Sequence, residues 1–189
     1  MNGSGANVAG CATCGGRCCR QYRVEVTVAD VRRLAAGTAL NPAEFIKLIE
    51  REKDKHGFRL RPGGPPNELH LFRRPTTRAC VFLMEIAPDQ ARCGVYAHRP
   101  LVCRNFPATL RRGSVSIRED VKCGPDSWNL AAMELTTYRR DLTKSSAAWD
   151  EHWKVVDAWN DHVDAEWRRA SPSDLYDFVL SYSPGDESL

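Results

Sequence analysis

The sequence predicts an α+β fold in which a small irregular cysteine-cluster domain is followed by a helical C-terminal extension. Three observations carry this expectation. All eight cysteines fall between positions 11 and 123. The same stretch holds short alternating apolar runs broken by glycine and proline, which read as brief strands and turns. From Ser127 onward the apolar residues recur at helical spacing. A chain of 189 residues suits one domain, or one domain with an appendage, and is long enough to bury a core without covalent staples. The expected division is a flexible N-terminus over 1–10, the cysteine-rich domain over 11–125, a helical extension packed on it over 126–183, and a frayed tail over 184–189.

Taken in order, residues 11–20 combine Gly15 and Gly16 with four cysteines and are expected to stay a loop. Val24, Val26 and Val28 alternate with polar or small residues, which suggests a short strand. Thr27 stands three before Asp30, the spacing of a capping box, so a helix is expected near 28–36. Val31, Leu34 and Ala35 form its apolar stripe, and Gly37 is its expected stop. Asn41, Pro42 and Glu44 announce a second helix, with Phe45, Leu48 and Ile49 on the core and the polar segment Arg51 to His56 closing it. Arg61-Pro62-Gly63-Gly64-Pro65-Pro66 is irregular. Leu69, Leu71 and Cys80-Val81-Phe82-Leu83 are strand candidates, and Leu110 to Ile117 reads as a hairpin turning at Arg112-Gly113-Ser114. Ser146 is the expected cap of a long helix. Its stripe is Trp149, Trp153, Val156, Val163 and Trp167, widened by Trp159, and these tryptophans are read as packing anchors. A last short helix follows Ser171-Pro172.

Composition excludes some classes. No apolar run approaches the ~20 residues that a membrane-spanning helix needs. The opening Met1-Asn2-Gly3-Ser4-Gly5-Ala6-Asn7 has no basic residue and no apolar stretch, so neither a secretory signal nor a transit peptide is expected, and the expected location is the cytoplasm. Disulfides seldom persist there, and closely spaced cysteines are read as metal ligands or redox thiols. Charge is asymmetric. Residues 1–123 hold 21 Lys+Arg against 11 Asp+Glu, a net +10, whereas 124–189 hold 6 against 13, a net −7. A basic half can be a solvated face or a nucleic-acid surface, but the interleaved aromatics of a single-strand binder are absent from its loops. The preferred reading is that Arg17, Arg20, Arg92, Arg99 and Arg104, which flank the cysteines, offset the charge of a thiolate centre.

The cysteines form two groups. Cys11-Ala12-Thr13-Cys14-Gly15-Gly16-Arg17-Cys18-Cys19 contains a Cys-x-x-Cys pair, which lets two thiolates of one tight loop meet the same metal. A redox dithiol is the weaker reading, because no βαβ context surrounds the pair. Cys18 and Cys19 are adjacent, and neighbouring side chains diverge by about 100° on a helix and about 180° on a strand. They are therefore expected to serve two centres, or to divide into one ligand and one buried or reactive thiol. The second group is Cys80, Cys93 and Cys103, with Cys123 behind. The candidate metal ligands are thus Cys11, Cys14, Cys18, Cys19, Cys80, Cys93, Cys103 and Cys123. Tyr96 and Arg99, together with Arg104, are candidates to surround the bound centre with hydrogen bonds and charge. His98 is a minor candidate for a nitrogen ligand.

The run Cys93-Gly94-Val95-Tyr96-Ala97-His98-Arg99-Pro100-Leu101-Val102-Cys103-Arg104-Asn105-Phe106-Pro107, preceded by Thr27, Asp30, Cys80 and Leu83, resembles the YkgJ-like cysteine-cluster family named for its CxxCxxCC motif. A related domain occurs in bacterial flagellin lysine N-methylases. The resemblance covers roughly residues 11–123, and its Arg-Pro to Phe-Pro stretch is the specific part. The sequence departs from the pattern where three residues, rather than two, separate Cys14 from Cys18. What the resemblance implies is zinc or iron chelation by these cysteines; it implies no reaction. An iron–sulfur cluster, of the 4Fe–4S type, is favoured over zinc, with a redox or catalytic role and a redox or other protein as partner. The alternatives are a structural zinc protein whose acidic helices bind a partner, and a metal buffer or carrier. Neither a membrane nor a nucleic acid is an expected partner.

Overall fold

The structure, a computed structural model, describes residues 15–88, 90–122, 128–166 and 169–182. Cys11, Cys14, Cys123, Trp167 and both expected terminal tails lie outside the described residues. Two compact units interleave along the chain: Met1–Tyr22 with Arg73–Ser146, and Arg23–Phe72 with Ala147–Leu189. The fold is α+β, with short helices, small antiparallel sheets and long C-terminal helices. Among the described residues no helix is long and apolar enough to cross a membrane.

In the first unit, α1 is Arg17–Gln21. The segment is helical where a loop was expected because both glycines precede the helix. Gly16, at φ 74°, turns the chain into it, and the Arg20 N–H then donates to the Gly16 carbonyl at 3.0 Å. The turn around Cys80 leads into β4 (Leu83–Ala87), which pairs antiparallel with β5 (Gln90–Cys93). The strand expected over Cys80–Leu83 therefore begins only at Leu83. Ahead of it, the Leu83 N–H closes a tight turn onto the Cys80 carbonyl at 3.0 Å. A 3-10 turn (Tyr96–His98) and α4 (Leu101–Asn105) follow. The expected hairpin is present as β6 (Ala108–Arg111) and β7 (Ser114–Ile117). Its turn residues Arg112 and Gly113 both have positive φ, 48° and 77°, as a two-residue turn matched to strand twist requires. Two small cores result. Ala79, Leu83 and Ala91 enclose Cys19, while Ala108, Val115, Met133 and Tyr138 gather Ile117, Leu130 and Leu142.

The second unit opens on an extended segment in which Val26 N–H and Val24 C=O bond Leu69 C=O and Leu71 N–H, each at 2.9 Å. Val28, expected at the end of a strand, is instead the first residue of α2 (Val28–Thr38), because the Thr27–Asp30 capping box starts the helix there. The helix passes through Gly37 and stops at Ala39, which takes a left-handed φ of 58°. The Asn41–Glu44 capping box also forms, but α3 (Pro42–Phe45) is a single turn. Residues 46–50, expected to continue it, form β1 (Ile46–Glu50) in a sheet ordered β1-β3-β2 with β2 (Phe58–Arg59) and β3 (Pro66–Leu71). Five residue pairs from Ile46↔Leu71 to Glu50↔Asn67 outweigh the helical spacing of Phe45, Leu48 and Ile49.

The helix α5 (Leu135–Glu166) begins well before Ser146, because Glu134 accepts the Thr137 N–H at 3.0 Å and caps it there. Within the second unit its buried face is Ala148, His152, Val155, Val156, Trp159 and Val163, with Trp149 and Trp153 half-buried at its margin. Trp159 is 1% exposed and donates from Nε1 to the Arg59 carbonyl at 2.7 Å, so it anchors packing as expected. The last helix, α6 (Pro172–Ser181), follows the Ser171–Asp174 capping box and buries Leu175, Tyr176 and Val179.

Candidate metal centre

The first unit carries thiols from three separate stretches. Cys18 and Cys19 ride on α1, Cys80 opens the turn before β4, and Cys93 ends β5. The Cys80 N–H donates to the Cys19 carbonyl at 2.8 Å, and Leu83, three residues on, pairs with Cys93 across the hairpin. Gly16 permits the close approach of the Cys18 helix, since a Cβ there would stand 2.7 Å from Leu83 Cδ1. The thiols feel one another. Burial first, and then the charges of Cys93 and Cys18, push the Cys80 thiol up to about 11. Burial, with Cys18 nearby, also raises Cys93. Cys18 is raised by its hydrogen bond with Cys19 and then by burial. A thiol becomes a metal ligand by exchanging its proton for the cation.

Cys18 and Cys19 differ from the sequence expectation. Their sulfurs do not diverge but stand 3.8 Å apart. Two sulfurs on one tetrahedral metal with ~2.3 Å bonds are about 3.5–4 Å apart, so adjacency in this helix is no bar to a shared centre. Cys19 also packs into the apolar cluster of Ala79, Leu83 and Ala91.

Two sulfurs have backbone donors already in place. The Phe82 N–H hydrogen-bonds the Cys80 sulfur, and the Val95 N–H the Cys93 sulfur. Each donor lies two residues past its cysteine. Such bonds favour the thiolate and offset charge on a bound metal. The fit of a soft, thiolate-liganded centre therefore rests on the donor set and on these amides.

Of the candidate surrounding residues, Arg99 lies with its guanidinium 3.8 Å from the centroid of the exposed Tyr96 ring, and its charge favours the Cys93 thiolate. Arg104 faces Asp141, at 3.3 Å, beside Asn105, whose amide donates to the Asp141 carbonyl at 3.2 Å. Arg20 pairs with Glu85 at 2.6 Å, while Arg17 and Arg92 are exposed. Cys103 is half-buried on α4. Sequence reasoning missed Arg73 and Arg74. Arg73 donates to the carbonyls that end α1, those of Arg20, Gln21 and Tyr22, and Arg74 donates to the carbonyls of Val81 and Leu83. Their place just before Cys80 was the available signal. Tyr22 in turn accepts the Lys122 N–H at 3.0 Å and donates to the Asp120 carbonyl at 2.5 Å, which ties the chain just before Cys123 to the end of α1. Among the described residues no three His, Cys, Asp or Glu side chains meet tightly enough to hold a metal ion by themselves.

One buried and four half-buried thiols thus lie on a single unit, a donor set suited to a cysteine-based metal chelator. In agreement, the family model "CxxCxxCC: Putative zinc- or iron-chelating domain" matches residues 10–134. The chain belongs to this family. No curated protein and no solved structure matches it.

Proposed function

We propose that the cysteines hold an iron–sulfur cluster of the 4Fe–4S type and that the protein works as a redox-linked metal protein of the cytoplasm. The observation that carries this reading is that Cys18, Cys80 and Cys93, from three stretches of the chain, lie on one unit where Cys80 feels the charge of both others, with an amide donor on each of the last two sulfurs. A 4Fe–4S cluster takes four thiolates, so one of Cys11, Cys14, Cys103 and Cys123 would complete the set with Cys18, Cys80 and Cys93, while Cys19 is held in reserve by its apolar packing. An inventory of eight cysteines and five histidines favours soft, all-thiolate ligation. Such a cluster, when bound, exchanges an electron with a partner. The chain's own part is to shield the sulfurs, supply N–H donors and place Arg99 near Cys93 to balance negative charge.

The test is anaerobic purification with metal and sulfide analysis. A brown protein that carries iron and acid-labile sulfide, and is bleached by reductant, supports the proposal. Colourless protein with stoichiometric zinc overturns the cluster and makes the centre a structural staple.

A further inference from the structure

The turn that presents Cys80 has all four of its carbonyls engaged. The Cys80 carbonyl accepts from Leu83 N–H at 3.0 Å, and that of Phe82 from Gly94 N–H at 2.8 Å. The other two, Val81 and Leu83, accept from one nitrogen of Arg74, at 2.9 and 2.7 Å. Val81 C=O and Phe82 N–H are the two ends of a single planar peptide unit and point in opposite directions. Phe82 N–H is the donor to the Cys80 sulfur. A guanidinium fixed on one end of that peptide therefore fixes the direction of the other end. It also polarises the unit, since hydrogen bonds in a chain strengthen one another. Arg74 is itself placed by the tight turn that follows it. Its N–H donates to the Ala79 carbonyl at 2.8 Å, its carbonyl accepts from Arg78 N–H at 2.9 Å, and Arg73 bridges to Cys80.

We infer that Arg74 is a positioning residue of the metal centre, one that sets the ligand strength of Cys80 by holding and polarising the Val81–Phe82 peptide whose N–H bonds the sulfur. The inference rests on the thiolate-centre reading but not on the choice of iron over zinc. It departs from the sequence expectation that the arginines nearest the cysteines act as bare counter-charges. Arg74 acts through a peptide, and the guanidinium plane aims the two donors of one nitrogen at two carbonyls, a fixed direction that a freely rotating lysine ammonium lacks.

The probe is cobalt(II), added anaerobically to the reduced full-length protein, with affinity and the thiolate-to-cobalt charge-transfer band read together. Arg74→Gln is expected to weaken cobalt binding about tenfold, the low end for loss of a group that supports a metal ligand. It is also expected to move the charge-transfer band to lower energy, because a sulfur relieved of its N–H donor gives up its electron more easily. Arg74→Lys, which keeps the charge and can reach one carbonyl, should recover part of both effects. The metal-free proteins are compared by thermal melting, and if Arg74→Gln does not fold, Arg74→Lys carries the same two readings. Wild-type uptake of cobalt with an unshifted band and affinity in the variant overturns the role of Arg74 alone. Wild type that takes up no cobalt overturns the thiolate centre, and the role of Arg74 with it.

Discussion

Acidification should destabilise the second unit through a single histidine. His152 is 3% exposed on the buried face of α5. Phe58, Trp149 and Trp153 set their rings at steep angles to it, with centroids 5.4, 5.0 and 4.7 Å away. Its Nδ1 accepts the N–H of Val28, the first residue of α2, at 3.3 Å. A protonated ring would lose that acceptor and set a positive charge against the positive end of the helix. Burial first, and then the nearby His56, lower its pKa to about 4 from 6.5. A base whose folded pKa is depressed binds protons more readily when unfolded. Its contribution to stability is therefore complete above pH 6.5 and is lost as pH falls from 6.5 towards 4. Each pH unit across that window is worth ~1.4 kcal/mol, so the whole contribution is about 3 kcal/mol. The assay is urea unfolding followed by tryptophan fluorescence between pH 7.5 and 4, for wild type and His152→Asn. The variant should be less stable at pH 7.5 by about 1–3 kcal/mol, because a void opens among the rings. Its decline towards pH 4 should be about 3 kcal/mol shallower than that of wild type. Carboxylates shared by both proteins cancel in the comparison. Parallel stability curves for the two proteins would refute the reasoning.

Two further outcomes concern the first unit. Gly16→Ala places a Cβ 2.7 Å from Leu83 Cδ1 on a residue with φ 74°, so the variant should lose about 2 kcal/mol, half from the backbone and half from overpacking. A melting temperature within a degree of wild type would show that α1 does not need the glycine. Cys18→Ser should lower bound metal sharply, whereas Cys19→Ser should keep it and lose about 1 kcal/mol of stability, since its sulfur packs against Ala79, Leu83 and Ala91. Equal metal contents in the two variants, by elemental analysis, would mean that both sulfurs of the pair, 3.8 Å apart, serve the centre alike.

What the sequence determined by itself was whatever a few neighbouring residues decide. The capping boxes Thr27–Asp30 and Asn41–Glu44 form as read, because side chain and backbone donor lie within one turn. The hairpin turns at Arg112-Gly113, where Gly113 takes its positive φ at no steric cost. The family, and with it zinc or iron chelation, was legible in the spacing from Cys93 to Pro107. The tertiary structure decided the rest. It made residues 46–50 a strand, since β3, some twenty residues away in sequence, offers a ladder that local periodicity cannot reveal. It moved the start of α5 to Leu135, where Glu134 serves as the cap. It also decided which thiols of the first unit share a field, and it put Arg74 behind the peptide that faces Cys80. Sequence proximity ranks arginines by their distance along the chain. A hydrogen bond to a carbonyl depends on where the turn points that carbonyl, and only the folded backbone fixes this.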